Sequence, residues 1–108
     1  MQLLIIRILF LSPMHGYGLL GEVNKLLTGR KPMKTGSLYT ILRRMEKAGL
    51  LESEWDKDSS RLDRRIYKPS NEGIEMLKEG RKTVEEQKRA LDEMITFYNE
   101  YFKEEPNS

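Results

Sequence analysis

Residues 35–50 read Thr-Gly-Ser-Leu-Tyr-Thr-Ile-Leu-Arg-Arg-Met-Glu-Lys-Ala-Gly-Leu, a stretch with the spacing of one amphipathic helix. The hydroxyls of Thr35 and Ser37 can cap its first turn, and Gly49 is the residue type that most often follows a helix end. Apolar side chains recur at i, i+3, i+4 and i+7, namely Leu38, Ile41, Leu42 and Met45. The spacing therefore predicts a helix that packs on a core with one face and presents a polar to basic face to a partner.

Two more helices are predicted before this one. The first is Gln2–Leu11, which is apolar on nearly all sides apart from Arg7, and it stops at Ser12-Pro13 because proline has no backbone donor. The second runs from about Tyr17 to Leu27 and carries an apolar stripe at three- and four-residue spacing. We interpret His15-Gly16 as the bend into the second helix, and Tyr17 as the residue that anchors this helix in the fold.

A β-hairpin is predicted after the third helix. Leu51, Ser53 and Trp55 alternate with acidic residues in the period of two that is typical of a strand. Residues 64–68, Arg-Arg-Ile-Tyr-Lys, can return as the partner strand across the polar loop 56–63. A tryptophan on such a strand packs on the domain core in the commoner case, or offers a stacking platform to an aromatic ligand.

From Ser70 onward, only Gly80 interrupts a helical pattern of about thirty residues. Its seven-residue stripe is too long for so small a domain to cover, so it needs a partner helix, and the same helix of a second copy is the economical choice. A break at Gly80, giving a short helix and then a dimer helix, fits the pattern equally well. The predicted dimerisation residues are Leu77, Val84, Leu91, Met94, Ile95, Tyr98, Tyr101 and Phe102.

Charge is unevenly placed along the chain, although the formal net charge is only +2. Residues 1–69 hold 13 lysines and arginines against 7 acidic residues, whereas residues 70–108 hold 6 against 10. Six of the basic residues fall within residues 30–47, on and just before the third predicted helix. This asymmetry suggests a basic half that meets a polyanion and an acidic half with another task.

Three helices, a hairpin and a long helix make a mainly α fold with a small β-hairpin, the order of a winged helix-turn-helix followed by a long C-terminal dimerisation helix. Residues 1–69 are then the DNA-binding domain and residues 70–108 the C-terminal helical dimerisation region. In this fold the third helix enters the major groove of double-stranded DNA, and the hairpin reaches the neighbouring backbone. Both positions are basic in this sequence.

The predicted DNA-binding residues divide by the group that they contact. Hydroxyls at the start of the third helix suit phosphates, because the free amides and the positive helix end help them. Side chains further along the exposed face approach base edges, and arginine suits bidentate contact with guanine. Hairpin arginines meet the backbone or the minor groove. The set is Lys34, Thr35, Ser37, Tyr39, Thr40, Arg43, Arg44, Arg64 and Arg65.

Several motifs together resemble the PadR family of transcriptional regulators. They are Met-His-Gly-Tyr at 14–17, Gly-x-Leu-Tyr-x-x-Leu followed by Gly-Leu within 36–50, Arg-Ile-Tyr at 65–67 and Ser-Asn-Glu-Gly at 70–73. The resemblance covers about residues 3–77 and is to the short form with one C-terminal helix. It implies a homodimeric winged-helix repressor that binds an operator and is often relieved by a small molecule. Thr40 stands where the family commonly has proline, and Ser70 departs from the usual residue but can still cap a helix.

The composition excludes several function classes. Without cysteine, the chain has no disulfide, thiolate metal site or cysteine nucleophile. His15 is the one histidine, and no second ligand lies at metal-binding spacing. No nucleophile, base and orienting group fall together. We therefore predict that the protein is not an enzyme and has no catalytic residue, metal or cofactor.

The one long apolar run, residues 3–11, is about half the length of a membrane span and contains Arg7. We therefore expect no membrane partner and a cytoplasmic location.

Two alternatives stay open in the sequence. Trp55, Met94 and Tyr98 are candidates for an effector pocket that takes a small hydrophobic or aromatic molecule, although plain dimer packing is the commoner explanation for apolar residues such as Met94 and Tyr98 at helical spacing. A protein-interaction module without a dedicated operator, which binds another protein through its C-terminal helix, is the alternative to a DNA-binding regulator.

Overall fold

The computed structural model describes residues 1–27, 31–56 and 65–102. Two compact units, Met1–Lys78 and Glu79–Ser108, make up the chain. In chain order the elements are α1 (Gln2–Leu11), β1 (Met14–His15), α2 (Gly16–Leu26), α3 (Thr35–Lys47), β2 (Leu51–Trp55), β3 (Arg65–Pro69), α4 (Asn71–Glu79) and α5 (Arg81–Tyr101). The segment 28–30 that follows the second helix, and the predicted hairpin loop beyond Asp56, lie outside the described residues.

The core of the first unit is built from the apolar faces that the sequence predicts for its helices. α1 buries the middle of its apolar run, Ile5, Ile6, Ile8 and Leu9, whereas Phe10 and Leu11 at its end are exposed. The buried apolar residues are Ile5, Ile6, Ile8, Leu9, Leu19, Val23, Leu38, Leu42, Met45, Leu51 and Tyr67. Tyr17 is 74% exposed, so the interpretation of this residue as an anchor is wrong.

The ends of α3 differ in how well the sequence predicts them. Lys34 is the N-cap residue, and no capping side-chain hydrogen bond is found there among the described residues. The predicted capping role of Thr35 and Ser37 is therefore wrong, because both lie within the helix. Gly49 has φ of 82°, the left-handed conformation that glycine adopts freely after a helix, so the predicted helix end is confirmed.

Asn24 fixes the chain just before α3. Its amide oxygen accepts a hydrogen bond from the Met33 backbone N–H at 2.8 Å, and its amide nitrogen donates to the Met33 carbonyl at 3.3 Å. A two-way bond of this kind satisfies both backbone groups of Met33. It therefore ties the residue just before the start of α3 to α2.

The sheet has three antiparallel strands in the order β1-β3-β2. The predicted hairpin is confirmed as β2 and β3, but the sheet is not limited to it, because Met14 and His15 pair with Tyr67 and Ile66. Two residues are too few to show a strand period, which is why the sequence gives no sign of β1. Strand β3 is central, so the hairpin is tied to the segment between α1 and α2.

Ser70 lies just before α4 and caps this helix, as expected. Its hydroxyl accepts a hydrogen bond from the Gly73 backbone N–H at 3.0 Å and donates to the Gly49 carbonyl. Gly73 has no room for a side chain, because a Cβ there would overlap the Leu50 carbonyl oxygen. The cap and the close approach therefore fix the start of α4 against the turn that follows α3.

The break at Gly80, one of the two alternatives in the sequence, is found: α4 ends at Glu79 and α5 begins at Arg81. α5 is a 21-residue helix without a buried residue, and its large apolar side chains are exposed by 43% or more. No helix within the described residues is long and apolar enough to span a membrane.

Candidate nucleic-acid interface

The outer face of α3 collects most of the predicted DNA-binding residues. Because α3 buries Leu38, Leu42 and Met45 and packs Ile41 partly against the core, its polar positions lie mainly on the opposite face. Lys34, Thr35, Ser37, Thr40, Arg43 and Arg44 are all exposed. The Thr40 hydroxyl donates to the Gly36 carbonyl at 2.9 Å, so its hydrogen is already used within the helix. Arginine side chains are therefore the strongest donors on this face.

Tyr39 differs from its neighbours because it is half-buried against the start of α2. A Cβ built on Gly16 would lie 2.7 Å from the Tyr39 hydroxyl oxygen and 2.8 Å from its Cζ. Only glycine leaves space for this ring, which explains the glycine of the Met-His-Gly-Tyr motif. Tyr39 thus joins α3 to α2 as well as facing the predicted DNA side.

Arg65 is held by a chain of polar contacts that runs from β3 to α3. Its Nη1 donates to the Ser53 hydroxyl at 3.1 Å, and Ser53 donates to Glu46 Oε2 at 2.7 Å. The Arg65 guanidinium also lies 4.5 Å from the centroid of the Trp55 ring. These contacts follow from the sheet register, because Trp55 is the direct cross-strand partner of Arg65.

Trp55 is 53% exposed, so the prediction that it packs on the core is wrong. Its cross-strand partner Arg65 covers part of the ring instead. A cation over an indole face is stabilised by the negative ring quadrupole. The Trp55 ring is therefore stabilised by its contact with Arg65 rather than by packing against core side chains.

A groove of about 380 Å³ opens between α3 and the two hairpin strands. Its lining among the described residues is Tyr39, Arg43, Glu46, Trp55, Arg65 and Tyr67. Two guanidinium groups face one carboxylate, so the groove is formally cationic. Burial raises the pKa of the Tyr67 phenol, and the Glu46 carboxylate raises it further, whereas Arg65 and Arg43 lower it. Tyr67 is therefore a neutral wall of this groove at neutral pH.

A sequence profile of the Transcriptional regulator PadR-like family matches residues 5–79. The chain belongs to this family. A PadR family transcriptional regulator from Eggerthella lenta DSM 2243 is 31% identical, with a TM-score of 0.65 over 93% of this chain and 81% of that one. A PadR family transcription regulator from Clostridium difficile R20291 is 26% identical, with a TM-score of 0.72 over 87% of this chain and 96% of that one.

PadR of Bacillus subtilis, solved in complex with operator DNA, shares the fold of this chain at 17% identity. Its TM-score is 0.62, and the match covers 72% of this chain and 44% of that one. None of the curated protein sequences that were compared matches significantly. Family and fold thus agree with the PadR resemblance of the sequence motifs.

The wing of this PadR-like chain is described only in part. Arg65 lies in the groove, whereas Arg64 falls outside the described residues. Two residues of this site that the sequence pattern does not identify are Glu46 and Ser53, which link Arg65 to α3. Their role depends on cross-strand register, for which the sequence pattern carries no direct signal.

His15 has a partner that sequence spacing did not indicate. Its Nε2 lies 2.8 Å from Asp56 Oδ2, a contact between residues 41 positions apart. The pair joins the end of β1 to the residue after β2. Within the described residues, no group of three or more metal-ligating side chains is found. His15 therefore serves the connection of two strands in addition to the bend into α2.

The predicted dimerisation residues of this PadR-like chain occupy two elements. Leu77 packs partly against the core of the first unit, and the other seven lie on α5 or at its end. Phe97, which the heptad pattern missed, lies 5.0 Å from Tyr101 and 5.9 Å from Phe102 between ring centroids. Its spacing of four from Tyr101 was a usable signal. Of the candidate effector residues, Trp55 lines the groove and Met94 and Tyr98 lie on α5.

Proposed function

We propose that the protein is a homodimeric, sequence-specific DNA-binding repressor that acts in the cytoplasm. The observation that carries this proposal is the exposed basic face of α3, with Arg43 and Arg44, beside a groove that Arg65 also lines. In a helix-turn-helix the third helix enters the major groove, and the wing meets the adjacent backbone. Operator DNA in the complex of Bacillus subtilis PadR supports this use of the fold.

We assign each residue to a base edge or to a phosphate according to its position on α3 or on the hairpin. Arg43 and Arg44, along the exposed face, are proposed to read base edges, where a guanidinium can form two hydrogen bonds to guanine. Lys34, Thr35 and Ser37 are placed at the start of α3, where backbone amides and the helix end attract phosphate. Arg65 on the wing strand is assigned to the backbone.

The exposed apolar stripe of α5 supports self-association. Val84, Leu91, Met94, Ile95 and Tyr98 are each at least 48% exposed, although a helix gains most of its stability from burying such a stripe. A second copy of α5 offers the matching surface, and a two-fold dimer would present two copies of α3 to two half-sites. Met94 and Tyr98 at this interface, and Trp55 in the groove, remain candidates to receive a small aromatic effector.

The test is selection of binding sites from a library of random duplex DNA, followed by measurement of the affinity for the selected site in excess competitor DNA. Arg43→Ala/Arg44→Ala should abolish competitor-resistant binding while the dimer persists. Arg7→Ala/Arg89→Ala removes the same charge from exposed positions of α1 and α5 and should leave most of the affinity intact. Equal loss in both variants would reject the assignment of α3.

The alternative function, a protein-interaction module, is favoured by the same exposed α5 stripe. A chain that stays monomeric in sedimentation and selects no DNA site would support that alternative. Family membership and the arginines of α3 favour the DNA-binding regulator.

A further inference from the structure

We infer that the groove between α3 and the hairpin seats one backbone phosphate of DNA, that Arg65 binds this phosphate, and that Trp55, Ser53 and Glu46 are positioning residues for Arg65. This inference rests on the proposed function. It assigns roles to Trp55, Ser53 and Glu46 that depend on the contacts between strands and helix.

The place of the groove favours a phosphate over a base. In the proposed complex α3 lies in the major groove and the hairpin meets the neighbouring backbone, so the DNA strand between them would face the space between these two elements. The gap between them in this chain is the groove that Arg43 and Arg65 line. Phosphates are the groups that a strand presents along its backbone, and arginine binds them through its planar fork of donors.

The polar chain from Arg65 to α3 has a fixed direction. A guanidinium only donates hydrogen bonds, so Ser53 must accept from Arg65. The single hydroxyl hydrogen of Ser53 then goes to Glu46 Oε2, at 2.7 Å. A carboxylate at the end of the chain strengthens both bonds because it carries full negative charge. Loss of the Ser53 oxygen would therefore release Arg65 from α3 in one step.

Trp55 provides the second hold on Arg65. The Arg65 guanidinium lies 4.5 Å from the centroid of the Trp55 ring. This contact restrains the arginine in addition to the hydrogen bond from its Nη1 to Ser53. Binding a flexible side chain to DNA costs the entropy of its lost rotamers, and a side chain that is already held loses less. The Ser53 hydrogen bond and the Trp55 contact therefore preorganise Arg65 for binding a phosphate.

Glu46 also limits how much negative charge the groove accepts. Its carboxylate stands against two guanidinium groups, so the formal charge of the lining matches a single phosphate.

The experiment measures binding of the full-length protein to poly(dA–dT) duplex as a function of salt, because phosphate contacts do not need a particular sequence. Arg65→Ala should weaken binding and lower the salt slope by about 0.9, the value for one phosphate on B-DNA. Trp55→Leu and Ser53→Ala should each weaken binding roughly two- to tenfold, as expected when one side chain loses its preorganisation, and should leave the slope unchanged.

A double-mutant cycle separates positioning from general support of the fold. In the Arg65→Ala background, Trp55→Leu and Ser53→Ala should not weaken binding further. In the otherwise wild-type protein, Trp55→Tyr should keep most of the affinity that Trp55→Leu loses, because it retains an aromatic ring. Phe10→Leu is the matched control, because Phe10 is an aromatic residue of α1 with the same 53% exposure as Trp55. It should not change binding.

Two results would overturn the inference in distinguishable ways. If the wild type binds but the effects of Trp55→Leu and Arg65→Ala add, then Trp55 supports the wing without positioning Arg65, and the proposed function stands. If the wild type shows no salt-dependent binding to the duplex and selects no site, the proposed function falls and this inference falls with it.

Discussion

The ring of Tyr39 occupies the space that a side chain at Gly16 would need. A Cβ on Gly16 would lie 2.7 Å from the Tyr39 hydroxyl oxygen, closer than non-bonded atoms approach. The contact joins the first residue of α2 to the exposed face of α3. A change at Gly16 is therefore expected to reach α3, the proposed DNA-binding helix, through this ring.

Gly16→Ala should lower the free energy of unfolding by about 1–3 kcal/mol, the usual cost of overpacking a close contact, and should weaken DNA binding because Tyr39 must move. Urea denaturation and duplex binding measure the two effects. Gly21→Ala is the matched control, since a Cβ there meets nothing within 4 Å. It should leave binding unchanged and raise stability by up to about 1 kcal/mol through helix propensity. Equal effects of the two substitutions would contradict the steric argument.

Ser70→Ala should destabilise the first unit by about 1–2 kcal/mol, because it removes the N-cap of α4 and leaves the Gly73 N–H without its acceptor. Thermal unfolding followed by circular dichroism is the measurement. Ser70→Thr keeps the hydroxyl and should recover part of the loss. If alanine and threonine are equally destabilising, packing of the buried position and not the cap determines its stability.

The raised pKa of Tyr67 predicts a specific loss of stability in alkali. A phenol whose pKa is higher in the folded protein favours the neutral form, so its contribution is complete below its ordinary pKa near 10 and is lost as the pH rises through the folded value. Tyr67→Phe cannot ionise. The free energy of unfolding of the wild type should therefore fall more steeply above pH 10 than that of the variant, and parallel curves would refute the burial argument.

Leu91→Lys should raise the dissociation constant of the proposed dimer at least about a hundredfold, because each of two copies loses the burial of a leucine, worth about 1.5–3 kcal/mol. Sedimentation equilibrium measures this. Thr96→Lys adds the same charge to the opposite, exposed face of α5 and should leave the dimer intact. Dissociation by both variants would indicate a general effect of charge, and a monomeric wild type would remove the dimer from the proposal.

The parts of the fold with long, regular patterns could be predicted from the sequence. α1 has its predicted bounds, and α3 ends where Gly49 indicates, because burial of an apolar face and a left-handed glycine are both local signals. The hairpin also follows from a local period. The hold on Arg65 could not be predicted, because it requires the register that places Trp55 opposite Arg65.

Very short elements and contacts between residues far apart in the chain could not be predicted from the sequence, for physical reasons. Strand β1 contains two residues, and its pairing with Tyr67 closes a loop that no periodicity reports. The contact between His15 and Asp56 depends on that pairing in the same way. The exposure of Trp55 was not predicted because tryptophan is usually buried. Here the Arg65 guanidinium covers part of the ring instead of the core.

The order β1-β3-β2 leaves the sheet with two short edges. β1 offers only two residues after Pro13, and β2 carries exposed Glu52 and Glu54 on one face. Short strands and charged side chains are the means by which proteins discourage pairing with foreign strands. Both edges of the sheet therefore have features that discourage pairing with strands of other molecules.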